Sequence, residues 1–201
     1  MRSKLAVFGG AVLVFLISYL AMRSGASAPL DEYVARWAMH FRDAKLTPFL
    51  RFITDMYAPS AAVAFMVAVV SVLVILRRFY LALYYFLTVT GALFVKIYLK
   101  FHIMRPRPPY KILDIGGYSF PSGHATLSMV TGIGLYLIAR AVRGRDALTY
   151  AVLGTALLWA GLVGFTRLYF GVHWFSDIVA GWALGLGWAY LTALLFFPKK
   201  G

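Results

Sequence analysis

Six long apolar runs constrain this chain more than any other feature: roughly 5–22, 58–76, 79–100, 122–142, 147–165 and 177–197. Each is about 18–22 residues, the length at which a helix rising 1.5 Å per residue crosses the hydrocarbon core of a bilayer. Within lipid no water is available to backbone N–H and C=O groups. Each run must therefore satisfy its own hydrogen bonds, which makes it a helix. With 62% hydrophobic and 13% charged residues among 201, a water-soluble globule could not hide this much apolar surface. The expected architecture is all-α: a bundle of six transmembrane helices forming one membrane-embedded domain over 1–201. We find no internal repeat, low-complexity tract or interdomain linker.

The first run follows Arg2 and Lys4 and precedes Ala26-Ser27-Ala28, which resembles a signal peptide with its cleavage site. Pro29 would directly follow the cut, and the run is long for a signal, so an uncleaved first span is expected. Over 29–56, Leu30, Tyr33, Val34, Trp37, Ala38 and Phe41 recur at helical spacing, with Asp31, Glu32, Arg36 and Asp43 between them. This pattern predicts an amphipathic helix lying at the membrane surface.

Lys and Arg number 20 against 7 Asp and Glu, giving a net charge of +13. Such an excess would suggest nucleic acid in a soluble chain. Here the positive charges lie between apolar runs, so loop topology and an anionic substrate explain them better, and no nucleic-acid partner is expected. Placing the N-terminus in the cytoplasm puts Arg2, Lys4, Arg77, Arg78, Arg140, Arg143, Arg145, Lys199 and Lys200 inside. The raw tally of basic residues does not separate the faces. The bias favours this orientation once the outer-face cations that belong to the motifs below are set aside. The chain has no cysteine, which excludes disulfides, thiolate catalysis and Cys-based zinc sites.

Three polar clusters interrupt the apolar pattern: Lys100 to Pro108, Pro121-Ser122-Gly123-His124, and Arg167 to Asp177. Counting spans places all three on one face of the membrane, the outer one for a cytoplasmic N-terminus. Lys100, Arg107 and Arg167 are cations, and arginine offers a planar fork that matches phosphate oxygens. Ser122 and Gly123 start a helix, where free N–H groups favour an anion. His124 and His173 can serve as nucleophile and general acid/base near neutral pH. Asp177, four residues after His173, falls on the same helical face if the sixth span begins there; it can then fix the imidazole tautomer. Lys96, His102, Arg105 and Lys111 read as interfacial or structural residues, with Lys96 at most assisting the electrostatics. The acids are few and scattered, so neither a metal nor a cofactor is expected.

The pattern Lys-x6-Arg-Pro, Pro-Ser-Gly-His, Arg-x5-His-x3-Asp resembles the type 2 phosphatidic acid phosphatase family, a family of membrane lipid phosphate phosphatases. The likeness covers nearly the whole chain. One position departs: the third motif usually opens with Ser, and Thr166 stands here, keeping the hydroxyl. The resemblance implies a metal-independent hydrolase. His173 would attack phosphorus, Asp177 would orient it, and His124 would protonate the leaving oxygen and then activate water. Lys100, Arg107, Ser122, Gly123 and Arg167 would hold the phosphoryl oxygens. The implied substrates are undecaprenyl diphosphate, phosphatidylglycerol phosphate and phosphatidic acid, in that order, at the outer face of a bacterial plasma membrane. Phe101, Tyr110, Trp174 and Phe175 are candidates for lining the lipid's route to the site, or for an ordinary aromatic belt. The residues leave open a lipid phosphotransferase and, further off, a protein like the vanadium haloperoxidases, which share these motifs but are soluble.

Overall fold

A computed structural model describes residues 1–197; the Lys199 and Lys200 of the orientation argument lie outside them. The described residues form eight helices: α1 (Arg2–Arg23), α2 (Ala28–Met39), α3 (Leu46–Asp55), α4 (Pro59–Ile75), α5 (Phe79–Ile103), α6 (Gly123–Arg143), α7 (Ala147–Tyr169) and α8 (Phe175–Phe196). No strand occurs among them. The six apolar runs are α1, α4, α5, α6, α7 and α8. Five of these are long and apolar enough to span by themselves. The sixth candidate pairs Leu46–Asp55 with Ser60–Ile75 across a 52° bend. The protein is thus an integral membrane helix bundle.

α6 lies at the centre, packed by α5, α7 and α8. Its Ala125, Leu127, Val130, Ile133 and Leu137 are all buried. Lipid tails are as apolar as these side chains, so close van der Waals packing rather than water exclusion holds the helices together. Small residues make that possible. A Cβ on Gly181 would lie 2.6 Å from the Ser122 carbonyl oxygen, and one on Gly185 would lie 2.6 Å from that of Thr126. α8 therefore rests almost backbone to backbone on the start of α6. α1 runs along α8, with Lys4 donating to the carbonyls of Ala193 at 3.3 Å and Phe197 at 2.5 Å. Phe15 and Tyr19 pack on the buried Phe120 with ring centroids 5.8 and 6.2 Å away. The first run thus packs as part of the bundle. Leu13, Ile17, Leu20, Phe94 and Leu158 are exposed on the outside of the bundle, where only lipid suits them.

The 29–56 segment differs from the single surface helix its periodicity predicts. It forms two helices, interrupted where the Asp43 carboxylate accepts from the backbone N–H groups of Lys45 (2.8 Å) and Leu46 (3.1 Å), a local turn that competes with helix. The outer face of α2 is apolar as expected, with Leu30, Tyr33 and Trp37 exposed. Its opposite face does not meet water. Asp31, Ala35 and Ala38 are buried against the bundle, where α2 packs on α7 and α8. α3 buries Leu50, Ile53 and Thr54 against α7.

α4 leans on α5 and scarcely touches α6. An apolar groove of about 680 Å³ remains beside it, lined by Phe65 and Ala61 of α4, Gly132 and Leu135 of α6, and Val152 and Trp159 of α7.

Candidate active site

The end of the bundle where α5 and α7 finish and α6 and α8 begin holds the three polar motifs. α5 stops at Met104, whose left-handed backbone (φ 52°) turns the chain out of the helix; Pro106, Pro108 and Pro109 prevent its resumption. α7 stops at Tyr169, followed by Gly171 at φ 64°. A Cβ there would sit 2.7 Å from the Tyr110 carbonyl oxygen, so only glycine lets the loop before His173 close down on the loop after α5. Arg42 ties both loops by donating to the carbonyls of Tyr169 and Tyr110, each at 2.9 Å.

These turns place Lys100, Arg107, Gly123, His124, Arg167 and His173 around one cavity of about 390 Å³. Lys96 lines it as well, which its position one turn before Lys100 hinted at. Ser122 caps α6 with an extended backbone, while its amide donates to the Asp177 carbonyl at 2.9 Å. The Ser122 hydroxyl is fully buried without a hydrogen-bond partner among the described residues. Arg167 is 2% exposed; one guanidinium nitrogen donates to the Thr54 hydroxyl at 2.6 Å, and its Nε has no partner. Buried polar atoms are rarely left unsatisfied in proteins. Of these two, Arg167 lines the cavity; Ser122 does not, but directly precedes Gly123, which does. Lys100 donates to the Tyr118 carbonyl at 2.6 Å. Arg107 donates to the Val172 carbonyl at 2.7 Å and to the carbonyls of Gly116 and Gly117, each at 3.2 Å.

His173 is 2% exposed. Its Nδ1 lies 3.3 Å from the Asp177 carboxylate, so Nδ1 carries the proton and Nε2 keeps its lone pair. Nε2 lies 3.3 Å from the Arg107 guanidinium. The sequence reading put His173 and Asp177 on one turn of the sixth span; the pairing exists, but its geometry differs. α8 starts at Phe175, so His173 precedes the helix. Asp177 reaches back as a cap, accepting from the Trp174 amide at 2.9 Å. Burial pushes the His173 imidazole well below its ordinary pKa, and the nearby Lys100, Arg167 and Arg107 push it further. It is therefore neutral at pH 7, the form that can attack an electrophile.

Two residues assigned no role in the sequence reading belong to this neighbourhood. Arg105 pairs with Asp177 at 2.6 Å and with Asp31 of α2 at 2.8 Å. Arg105 is partly legible, as a second arginine in the Arg-Pro-Arg-Pro run. Asp31 is not, because an acid on an amphipathic helix ordinarily marks the wet face. His102 does stand apart: it is exposed and hydrogen-bonded to the Tyr98 carbonyl at 2.8 Å. Lys111 is exposed, 3.9 Å from Asp114. Phe101, Tyr110, Trp174 and Phe175 line neither the cavity nor the apolar groove. Tyr57 lines both the cavity and the apolar groove beside α4. Among the described residues, no three His, Asp or Glu side chains gather as metal ligands.

Comparison with known proteins identifies the family. Phosphatidylglycerophosphatase B of Bacillus subtilis (strain 168) is 30% identical over 94% of this chain and 91% of its own length. An undecaprenyl-diphosphatase of Sulfolobus acidocaldarius is 32% identical over 45% of this chain and 36% of its own. The crystal structure of a transmembrane PAP2-type phosphatidylglycerolphosphate phosphatase from Bacillus subtilis superposes with a TM-score of 0.86 at 26% identity, covering 100% of this chain and 99% of that one. LpxE of Aquifex aeolicus, at 20% identity and a TM-score of 0.67 over 81% of this chain and 94% of its own, shares the fold. Residues 81–200, which carry all three motifs, match the PAP2 superfamily, and the chain belongs to that family.

Proposed function

We propose that this membrane phosphatase hydrolyses a lipid phosphomonoester or diphosphate through a phosphohistidine. The observation that carries the reading is the meeting of a neutral, carboxylate-held His173 with Lys100, Arg107 and Arg167, whose Nε is unsatisfied, around one cavity. The Nε2 lone pair of His173 attacks the terminal phosphorus, and the bond from that phosphorus to the leaving oxygen, of the lipid alcohol in a monoester or of the lipid phosphate in a diphosphate, breaks. His124 gives that oxygen a proton. Asp177 balances the charge that develops on His173. His124 then takes a proton from water, whose oxygen attacks the phosphohistidine, and inorganic phosphate leaves. Lys100, Arg107, Arg167, the Ser122 hydroxyl and the Gly123 amide stabilise the oxygens throughout. Phosphoryl transfer requires chiefly such positioning and charge neutralisation.

The apolar groove supports a lipid substrate. Tyr57 lines both groove and cavity, which supports a phosphate held in the cavity while its hydrocarbon chain lies beside α4. The full-length likeness to a phosphatidylglycerophosphatase favours phosphatidylglycerol phosphate, ahead of undecaprenyl diphosphate and phosphatidic acid. We place the cavity on the outer face of the membrane, by the charge argument above. The test measures kcat/KM for these three lipids and for p-nitrophenyl phosphate, in detergent with chelator present. Binding energy from the remote chain raises kcat/KM, so the best lipid should exceed the soluble ester by about a hundredfold or more. His173→Ala should remove all turnover. A soluble ester as good as every lipid would overturn the lipid reading, and turnover by His173→Ala would overturn the nucleophile.

A further inference from the structure

Behind the pair of His173 and Asp177 lies a buried charge cluster that the chemistry above does not use. Asp177 Oδ2 serves His173 and the Trp174 amide, while Oδ1 accepts from Arg105 at 2.6 Å. The same guanidinium nitrogen reaches the Ser176 hydroxyl at 2.7 Å. The other terminal nitrogen reaches Asp31 at 2.8 Å. Asp31 in turn accepts from the Ser176 amide and hydroxyl, each at 2.8 Å, and from the Ser27 hydroxyl at 2.8 Å. The side chains of Asp31 and Asp177 are 2% and 0% exposed, that of Arg105 12%. Its guanidinium also lies 5.5 Å from the centre of the Trp174 ring.

We propose that Arg105 and Asp31 are positioning residues for the nucleophile. Arg105 holds Asp177 in the orientation that keeps Nδ1–H of His173 engaged and Nε2 turned toward the cavity. It can do so because its fork spans two carboxylates, and Asp31 fixes the far side of that fork. Asp31 also pins the first turn of α8 through the Ser176 amide, next to the loop that carries His173. α2, whose outer face meets lipid, is thereby a working part of the catalytic centre. Without the guanidinium two buried carboxylates would share one pocket uncompensated, and Asp177 would leave its place. Lysine keeps the charge but has no fork, so it replaces Arg105 only in part.

The inference rests on His173 as nucleophile, and the experiment separates the two. Single-turnover rate constants, with enzyme in excess, are measured for phosphatidylglycerol phosphate in micelles and for p-nitrophenyl phosphate. The variants are Arg105→Met, Arg105→Lys, Asp31→Asn and His173→Ala. Misalignment slows attack on every substrate, by about ten- to a hundredfold when groups shift by an ångström or so. The rate constant of Asp31→Asn should fall at least about tenfold on both substrates and that of Arg105→Met further, with Arg105→Lys between wild type and Arg105→Met. A misfolded fraction lowers the amplitude and leaves the rate constant unchanged, so rate constants within twofold of wild type for Asp31→Asn and either Arg105 variant overturn the proposal. Slowing confined to the lipid also overturns it, by making α2 a lipid guide only. If Arg105→Met cannot be purified folded, Arg105→Lys and Asp31→Asn decide. Inactive His173→Ala beside normal Asp31→Asn sinks the positioning role alone; active His173→Ala sinks the reading beneath it.

Discussion

His173 is the residue whose surroundings matter most. Burial first, and then Lys100, Arg167 and Arg107, depress its pKa well below the usual 6.5. In the proposed mechanism the neutral ring attacks, so a depressed value keeps it active as pH falls, and activity is lost only once pH drops through the depressed value. The wild-type acid limb of the pH–rate profile assigned to His173 should therefore lie below pH 6.5. Removing the guanidinium in contact with Nε2 by Arg107→Gln lets the value rise, and the acid limb should move to higher pH, alongside the loss of phosphate binding. A limb that stays put in Arg107→Gln would mean that His173 does not govern it. Lys100, Arg107, His124, Arg167 and His173 stand out in the sequence because polar groups are seldom tolerated in apolar spans, whereas Arg51, Asp55 and Asp114, which also line the cavity, carry no such signal. The sequence could not identify Asp31 and Arg105, whose partners lie 74 and 72 positions away and are set only by packing.

At the scale of elements, the contact between α6 and α8 sets the site. Asp177 and Ser122, one from each helix, touch through the backbone at 2.9 Å, and Gly181 one turn further on keeps the helices that close. Gly181→Leu would drive a side chain into the Ser122 carbonyl and into Ala125, 2.6 and 2.9 Å from the new Cβ. Because the obstacle includes backbone, the loss should reach about 3 kcal/mol or more, the upper end for overpacking. Thermal unfolding in detergent should show a marked drop in Tm with activity gone. Gly154→Leu, where nothing lies within 4 Å of the new Cβ, should leave both nearly unchanged. Equal stability of the two variants would refute this account of the contact. The helices themselves were legible from apolar length to within a few residues. The break between α2 and α3 was not, because a hydrophobic stripe continues through the turn that Asp43 makes.

For the whole molecule, an even number of spans between the N-terminus and the cavity's opposite rim fixes which side each loop occupies. Arg78 and Arg143 lie at the ends of α4 and α6 away from the cavity, and Gly116 lies in the loop beside it. The absence of native cysteine permits a clean measurement. Single cysteines at 78 and 143 should be shielded from an impermeant thiol reagent in intact cells, while one at 116 should react. The reverse pattern would put the cavity in the cytoplasm and remove the outer-face substrates from consideration.

By itself the sequence determined that this chain spans a membrane, where its helices run, and that three polar motifs fall at one end of the bundle. Those follow from local rules: apolar length against bilayer thickness, and residue type at fixed spacing. Only the tertiary structure decided that Asp177 holds His173 from a helix cap, that α2 sends Asp31 inward, and that Tyr57 lines both the cavity and the groove beside α4. Each of these depends on which helix faces which. In lipid that choice rests on close packing of small residues such as Gly181 and Gly185, which periodicity along one chain does not encode.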